Sequence, residues 1–330
     1  MLKAGFVGVG SRARGHLRAL DTTGKVRVVA VADVVFEAAE RVARERGARA
    51  YAGVAQLLEG ERVDVVYTAV PYHVNADVAL PVLEAKIPLF MEKTVAVRPE
   101  DIRRVAAAAE RGGVPTAVGY QWRYLNTVDR LRERVAPESA ALLVGQYFSG
   151  APRTRWGREL RFYAGQVFAQ LTHVLDLSRF LAGDAVGVQA MYGRRIWPEA
   201  VREPEFDSWD VHALNVQFAS GAVGSYHCTY GLGGRVGPGE VVELKLVSRD
   251  ELWTLTGSGL RYQTTQGQDE AWPRDVDPVL RLHQTFIEAI ESGRPELVRS
   301  PVGDAARSAL VCAAANRAAA GSSACNPAEL

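Results

Sequence analysis

Two short groups of residues have types and spacings that suit proton transfer and the stabilisation of negative charge. Glu92 and Lys93 directly follow a short apolar segment. His173 and Asp176 are three residues apart, so a helix would place the imidazole and the carboxylate on one face. Imidazole exchanges a proton near neutral pH, and an ammonium stabilises a developing alkoxide. These groups therefore suit chemistry at a carbon that bears a hydroxyl.

A glycine turn near the N-terminus has the spacing of a dinucleotide-binding loop. Gly8 permits a tight turn, Gly10 leaves the backbone open to a pyrophosphate, and Ala13 lets the next helix lie close to the sheet. Ser11 and Arg12 lie inside the turn, between an apolar strand and a helix whose N-terminus attracts phosphates. We expect this turn to bind a nucleotide cofactor.

Asp33 ends the second predicted strand, about 20 residues beyond the turn, where a carboxylate can accept hydrogen bonds from both adenosine ribose hydroxyls. A 2′-phosphate would face this carboxylate, and Val34, Val35 and Phe36 bring no neutralising charge. The sequence therefore favours NAD over NADP. Arg12 weakens this preference for NAD, because its side chain could reach the adenine or a 2′-phosphate.

Length and composition predict a globular protein of two ordinary domains, with 330 residues of which 48% are hydrophobic. The net charge is +1 and no block of like charges occurs, which argues against a nucleic-acid partner. No basic and apolar leader opens the sequence, and no stretch approaches the roughly 20 apolar residues of a membrane span. We expect a cytoplasmic protein that does not bind membranes.

Cysteine and histidine placement predicts no metal site. Cys228, Cys312 and Cys325 are odd in number and lack ligand-like spacing. His212 and His227 fall on opposite strands of a predicted hairpin and could face each other, but no carboxylate or cysteine accompanies them at ligand spacing.

The first third of the chain alternates strands and helices, as in a doubly wound parallel sheet. We predict strands at 4–7, 26–32, 49–51, 63–70, 88–91 and 115–118, and helices after the glycine turn and at 37–46, 55–58, 75–84 and 99–111. Ligands bind outside the carboxyl ends of parallel strands. The residues that follow Val70, Met91 and Val118 are therefore expected to face the same crevice as Gly8.

Beyond residue 120 the pattern changes to longer segments with period-two alternation, which predicts an antiparallel or mixed sheet. We predict hairpins at 211–218 with 222–228 and at 241–248 with 251–256, and helices at 126–134, 168–181 and 304–320. The predicted domains are 1–122 and 123–330. The sequence leaves open whether the last helix packs on the first domain.

Five motifs, in order and spacing, resemble those of the glucose-fructose oxidoreductase / inositol dehydrogenase / MocA (Gfo/Idh/MocA) family over nearly the whole chain. They are Gly8-x-Gly10, Val70-Pro71-x-His73, Glu92-Lys93-Thr94, Gly119-Tyr120-Gln121-Trp122-Arg123-Tyr124, and the segment from Gly165 to His173-x-x-Asp176. The resemblance implies an N-terminal Rossmann domain and a C-terminal α/β domain whose large open, mainly antiparallel sheet often forms an oligomer interface. It also implies NAD(P)-linked oxidation or reduction at a carbinol carbon of a sugar or cyclitol.

Roles follow from the resemblance by position. Lys93 would lie between the nicotinamide ribose and the substrate hydroxyl, and His173 would be the acid/base. Asp176 would bind a neighbouring hydroxyl. Arg123, Tyr163 and Trp156 are further expected substrate-binding residues. The expected cofactor-binding residues are Gly8, Gly10, Ser11, Arg12, Ala13, Asp33, Val70, Pro71, His73, Glu92, Lys93, Trp122 and Arg123.

The chain departs from the family at two positions. Thr94 stands in place of a proline, and Ala169 stands where the family usually has an acid four residues before the histidine. Gln170 can form hydrogen bonds but cannot take up a proton at neutral pH. Either the reaction proceeds on Lys93 and His173 alone, or the substrate differs from simple polyols, or the protein only binds or senses a nucleotide.

A run of arginines precedes the second candidate group. It consists of Arg153, Arg155, Arg158 and Arg161. We interpret it as a solvated face; the alternative is that it lines the substrate mouth beside Trp156 and Tyr163 and selects an acidic sugar.

The sequence thus predicts an NAD-dependent sugar or polyol dehydrogenase that forms a homo-oligomer, a dimer or tetramer, through the C-terminal sheet. The alternative is a non-catalytic nucleotide-binding protein of the same fold. A third class, a glycosidase that uses bound NAD, is known among relatives, but their metal or histidine pattern is not evident in this sequence.

Overall fold

The computed structural model describes residues 1–152, 156–196, 207–232, 240–321 and 323–330, with the backbone alone at Trp156. The chain forms two compact units. The first contains Met1–Tyr124 and Asp277–Ala306, and the second contains Leu125–Val276 and Arg307–Leu330.

A six-stranded parallel sheet forms the centre of the first unit. Its strands are β1 (Leu2–Val7), β2 (Val26–Ala32), β3 (Arg49–Tyr51), β4 (Val65–Thr68), β5 (Leu89–Met91) and β6 (Thr116–Val118). Their order is β3-β2-β1-β4-β5-β6. This is the Rossmann order, in which ligands bind where the strand order reverses, here at β1 and β4. The glycine turn follows β1 at this point.

Ten α-helices lie within the described residues. They are α1 (Ala13–Thr23), α2 (Phe36–Arg46), α3 (Val54–Gly60), α4 (Asn75–Glu84), α5 (Pro99–Gly112), α6 (Asn126–Arg134), α7 (Leu160–Tyr163), α8 (Thr172–Ala182), α9 (Pro278–Ser292) and α10 (Val302–Gly321). Short 3-10 turns occur at Tyr72–Val74, Gln121–Tyr124, Pro137–Ser139, Trp156–Arg158, Pro295–Leu297 and Pro327–Glu329. No helix in these parts of the chain is long and apolar enough to cross a membrane.

A buried apolar cluster contains side chains of both α9 and the parallel sheet. Phe286 and Ile287 of α9 are fully buried in the same cluster as Tyr67 of β4 and Phe90 of β5. Burial of a side chain of this size stabilises the fold by about 1.5–3 kcal/mol. This packing is the physical reason that residues 277–306 belong to the first unit, whereas the sequence assigned them to the second domain.

The second unit is built on an eight-stranded sheet. Its strands are β7 (Leu142–Phe148), β8 (Ala185–Gly193), β9 (Val211–Phe218), β10 (Val223–Thr229), β11 (Val241–Ser248), β12 (Glu251–Thr256), β13 (Gly259–Thr264) and β14 (Asp269–Pro273). Their order is β14-β13-β12-β11-β7-β10-β9-β8, antiparallel except for the parallel pair β7 and β10. The large, mainly antiparallel sheet predicted for the second domain is confirmed.

The segment predicted as one helix at 168–181 has two geometries. A π-helical turn at Val167–Leu171 precedes α8. Gly145 of β7 lies close to this helix, and a Cβ at that position would lie 2.5 Å from a side-chain carbon of Val174. The close contact fixes α8 on one face of the sheet and buries its N-terminal turns.

Candidate active site

The glycine turn after β1 has a backbone that suits a pyrophosphate. Gly8 has a φ of +85°, and a Cβ there would lie 2.5 Å from the carbonyl oxygen of Ala69. A Cβ on Gly10 would meet no described atom within 4 Å, so this residue borders open space. No described side chain caps the start of α1, where the helix dipole favours an anion. Ser11 is exposed, and Ala13 is buried in the core.

Asp33 joins the turns that follow β1 and β2. Its Oδ2 accepts a hydrogen bond from the backbone N–H of Val9 at 2.8 Å, and its Oδ1 accepts one from Val35 at 2.9 Å. Each carboxylate oxygen retains a second lone pair that can accept from a ribose hydroxyl. The residues present therefore fit the adenosine and pyrophosphate of a dinucleotide.

Glu92, directly after β5, is a buried carboxylate surrounded by positive groups. Its Oε2 lies 3.6 Å from Nε2 of His16 and 3.1 Å from the backbone N of Lys93, and its Oε1 lies 3.8 Å from Nε of Arg12. Burial alone would raise the pKa of this carboxyl, but its contact with His16 and the nearby positive charges outweigh burial and lower the pKa to about 2. Glu92 is therefore ionised at neutral pH.

A second histidine extends this contact into the core. Nδ1 of His16 lies 2.9 Å from Nε2 of His283, and both imidazoles are buried. Burial and the neighbouring His16 lower the pKa of His283 well below its usual value, which keeps that ring neutral. A single hydrogen lies between Nδ1 of His16 and Nε2 of His283, and the other ring nitrogen of His16 faces Glu92. Sequence reasoning missed both histidines.

Lys93 is buried beside Tyr72, which follows Pro71 in the loop after β4. Its Nζ lies 2.7 Å from the Tyr72 hydroxyl oxygen and 5.0 Å from the centroid of the ring. Asn75 donates a side-chain hydrogen bond to the carbonyl of Thr94, and the peptide bond between Lys93 and Thr94 is cis. Two side-chain contacts thus join the loops that follow β4 and β5. The sequence singled out Lys93, but not Tyr72 or Asn75.

Gly119, after β6, makes room for the carboxylate of Glu92. A Cβ at this position would overlap Oε2 of that side chain. Sequence reasoning included Gly119 in a motif but gave it no role. Its role is steric, because any other residue would displace Glu92.

The remaining predicted residues of the first unit lie in the loops after β4 and β6. Val70 and His73 are half-buried, as is Trp122. Arg123 is almost fully buried, and its Nη1 lies 2.5 Å from Oδ2 of Asp304. The guanidinium thus holds the segment that begins α10, and its contact with cofactor or substrate stays a prediction.

His173 and Asp176 are both buried on α8, in the second unit. Oδ1 of Asp176 accepts a hydrogen bond from Oγ of Ser308 on α10 at 2.6 Å. Nη1 of Arg179 donates to the same Ser308 oxygen at 2.7 Å, and Arg179 pairs with Asp184. One oxygen of Asp176 is therefore used within its own unit, and its contact with substrate stays a prediction.

The position of the family's usual acid is apolar and closed. Ala169 is 3% exposed in the π-helical turn. Oε1 of Gln170 accepts hydrogen bonds from Ser149 at 2.7 Å and from Gln166 at 2.9 Å, and its amide donates to Glu240 at 3.4 Å. The Gln170 amide therefore belongs to a polar cluster, but it is not a base that could take up the substrate proton.

The predicted aromatic and arginine residues of the second unit are only partly described. The side chain of Trp156 and residues Arg153 and Arg155 lie outside the described residues. Tyr163 is half-buried at the end of α7. Arg158 donates to the carbonyl of Pro152 at 2.8 Å, and Arg161 pairs with Glu159 at 2.5 Å. The substrate roles of Trp156 and Tyr163 stay predictions.

The expectation that His212 and His227 could face each other is wrong. The register of β9 and β10 pairs His212 with Cys228 and His227 with Ala213, so the two imidazoles point to opposite faces of the sheet. Burial lowers the pKa of His212 to about 4, whereas His227 is exposed. Across the described residues, no group of three or more His, Cys, Asp or Glu side chains could hold a metal ion.

Comparison with known proteins agrees with this geometry. The family model described as "Oxidoreductase family, NAD-binding Rossmann fold" matches residues 2–120, and that of the GFO/IDH/MocA C-terminal domain matches residues 138–244. The rhizopine catabolism protein MocA of Rhizobium meliloti is 25% identical over 317 residues, which cover 93% of this chain and 89% of that protein.

Two further proteins resemble this chain in a more limited way, one over part of its sequence and one in its fold. Inositol 2-dehydrogenase of Salmonella typhimurium is 35% identical over 127 residues, which span 37% of this chain and 38% of that enzyme. The solved structure of levoglucosan dehydrogenase with NADH and levoglucosan has a TM-score of 0.86 at 18% identity and covers 98% of this chain and 99% of its own, which shows a shared fold. Because the two family models together match most of the chain, it belongs to the Gfo/Idh/MocA family of oxidoreductases, and its first unit is an NAD-binding Rossmann domain.

Proposed function

We propose that the protein transfers a hydride between NAD and a carbinol or carbonyl carbon of a sugar, a sugar derivative or a cyclitol. The observation that carries this proposal is Lys93, a buried lysine next to ionised Glu92 at the carboxyl edge of an NAD-binding sheet. The names of relatives, an inositol dehydrogenase and a levoglucosan dehydrogenase, support this substrate class.

Different residues would bind the cofactor and act on the substrate hydroxyl. When bound, NAD supplies the acceptor of the hydride. The turn at Gly8 and Gly10 would hold the pyrophosphate, and Asp33 the adenosine ribose. The ammonium of Lys93 would stabilise the negative charge that develops on the substrate oxygen, and His173 would accept the hydroxyl proton.

We further propose a cytoplasmic homo-oligomer, a dimer or tetramer, formed through the second sheet. Apolar side chains are exposed on several of its strands, with Met191 of β8 at 78% and Val223 of β10 at 49%. An exposed apolar surface favours association. The three cysteines are free, as is usual in a reducing compartment. Sedimentation of the purified protein measures the oligomeric state, and a monomer at micromolar concentration contradicts it.

A non-catalytic NAD-binding protein is the second candidate, and the apolar side chain of Ala169 favours it. One experiment separates the two: aldoses, uronates and cyclitols are assayed with NAD for NADH absorbance, and calorimetry measures NAD binding on the same sample. Turnover of any sugar or cyclitol supports the dehydrogenase. Binding of NAD without turnover across the panel supports the non-catalytic protein.

A further inference from the structure

The loop after β4 brings a phenol to the side chain of the candidate catalytic lysine. Tyr72 is 7% exposed and Lys93 is 1% exposed. The hydroxyl oxygen of Tyr72 lies 2.7 Å from Nζ, and the ring centroid lies 5.0 Å from it. A buried ammonium is costly unless protein groups replace its water, and it has three hydrogens to donate. The hydroxyl oxygen of Tyr72 accepts one of those hydrogens.

We propose that Tyr72 is a positioning residue for Lys93, which fixes the direction of the ammonium and keeps it charged for its work on the substrate oxygen. This inference rests on the proposed function, because the direction of the ammonium affects turnover only if Lys93 acts on a substrate.

Backbone contacts on both sides hold the pair in register. β4 and β5 are parallel neighbours, and the backbone N–H of Glu92 donates to the carbonyl of Thr68 at 2.8 Å. Pro71 has a φ of −58° directly before Tyr72, which the proline ring restricts. Beyond Lys93, the side chain of Asn75 binds the carbonyl of Thr94. These contacts fix the loops after β4 and β5 at both ends, and they keep the Tyr72 hydroxyl close to Nζ of Lys93.

Glu92 is a charged neighbour of Lys93 on the same loop. The carboxylate of Glu92 accepts the backbone N–H of Lys93 at 3.1 Å and is itself in contact with His16 and Arg12. Its charge favours the ammonium form of Lys93 at any pH where Glu92 is ionised. Tyr72 differs in that it contacts Nζ directly, so its removal affects the direction of the charge as well as its stability.

The test is Tyr72→Phe, which removes the hydroxyl and keeps the ring. In protein labelled with ¹⁵N-lysine, the pKa of Lys93 is expected to fall by about 1, a tenfold weaker hold on its proton, because the charged form loses a hydrogen bond. The chain has five lysines, and the Lys93 signal is assigned by its loss in Lys93→Met. With an active substrate, the alkaline limb of the kcat profile should move to lower pH by the same amount, with KM nearly unchanged.

Tyr67→Phe is the matched control. Tyr67 of β4 is fully buried, and among the described residues its hydroxyl has no hydrogen-bond partner. This variant should leave the pKa of Lys93 unchanged.

The NMR titration separates failure of this inference from failure of the proposed function, because it needs no turnover. An unchanged Lys93 pKa in Tyr72→Phe, or an equal fall in Tyr67→Phe, overturns the inference. A Lys93 pKa that falls as expected in a protein with no turnover on any sugar leaves the contact established and rejects its catalytic purpose.

Discussion

Glu92 and Asp176 are both buried carboxylates next to candidate catalytic residues, yet the two units use them differently. Glu92 lies at the carboxyl edge of the parallel sheet and contacts Arg12 of the glycine turn and the backbone of Lys93. Asp176 lies within a helix and accepts a hydrogen bond from Ser308 in the interior of its unit. A buried acid beside a candidate catalytic residue therefore has no fixed role. The role of such an acid depends on whether it lies at the end of a strand, as Glu92 does, or within a packed helix, as Asp176 does.

The largest expected effect lies in the first unit. Lys93→Met should lower kcat a hundredfold or more, at least about 2.7 kcal/mol, because the lost charge acts on an alkoxide-like transition state. NAD affinity should stay nearly the same. Steady-state kinetics on an active substrate and calorimetry measure both quantities. Lys86→Met, which removes an exposed lysine, is the control, and a wild-type kcat for Lys93→Met would reject the assignment.

A pH titration tests whether Glu92 carries its charge in the folded protein. Its pKa is lowered from 4.5 to about 2, so the folded state binds the proton less tightly than the unfolded chain does. The resulting stability is present above about pH 4.5 and is lost as the pH falls toward 2, by about 2–3 kcal/mol. Urea unfolding across this range should show a weaker decline for Glu92→Gln than for the wild type. Parallel declines would contradict the ionised carboxylate.

Ser308→Ala probes the structural role of Asp176 in the second unit. The change removes the donor to Asp176 and the acceptor of Arg179, so the free energy of unfolding should fall by about 1–2 kcal/mol. Ser323→Ala, at an exposed position, should change stability little. Denaturant unfolding gives both values. If Ser308→Ala is as stable as the control, the hydrogen bond contributes nothing and the contrast with Glu92 disappears.

The smallest expected effect concerns the choice of cofactor. NAD should bind at least tenfold more tightly than NADP, roughly 1.4 kcal/mol, because a 2′-phosphate would face the carboxylate of Asp33. Asp33→Ser should narrow or invert this ratio, as measured by calorimetry with both cofactors. Equal or tighter binding of NADP by the unaltered protein would reject the role given to Asp33.

Local pattern was sufficient for many elements. The strands at 26–32 and 49–51 and the helices at 75–84 and 126–134 have the predicted bounds, because apolar periodicity and turn residues are local properties. α9 was missed although its signal is local. Asp277 caps the helix by accepting hydrogen bonds from two backbone N–H groups, and Pro278 occupies its first turn.

The sequence by itself determined the strand, glycine turn and acid of the NAD-binding unit, and the family motifs that singled out Lys93 and His173. Tertiary structure alone decided the partners of the charged groups. Tyr72 is 21 residues from Lys93, Ser308 is 132 from Asp176, and His283 is 267 from His16. A hydrogen bond needs its atoms about 3 Å apart, and strand pairing and helix packing, not local pattern, bring residues so distant in sequence to that distance.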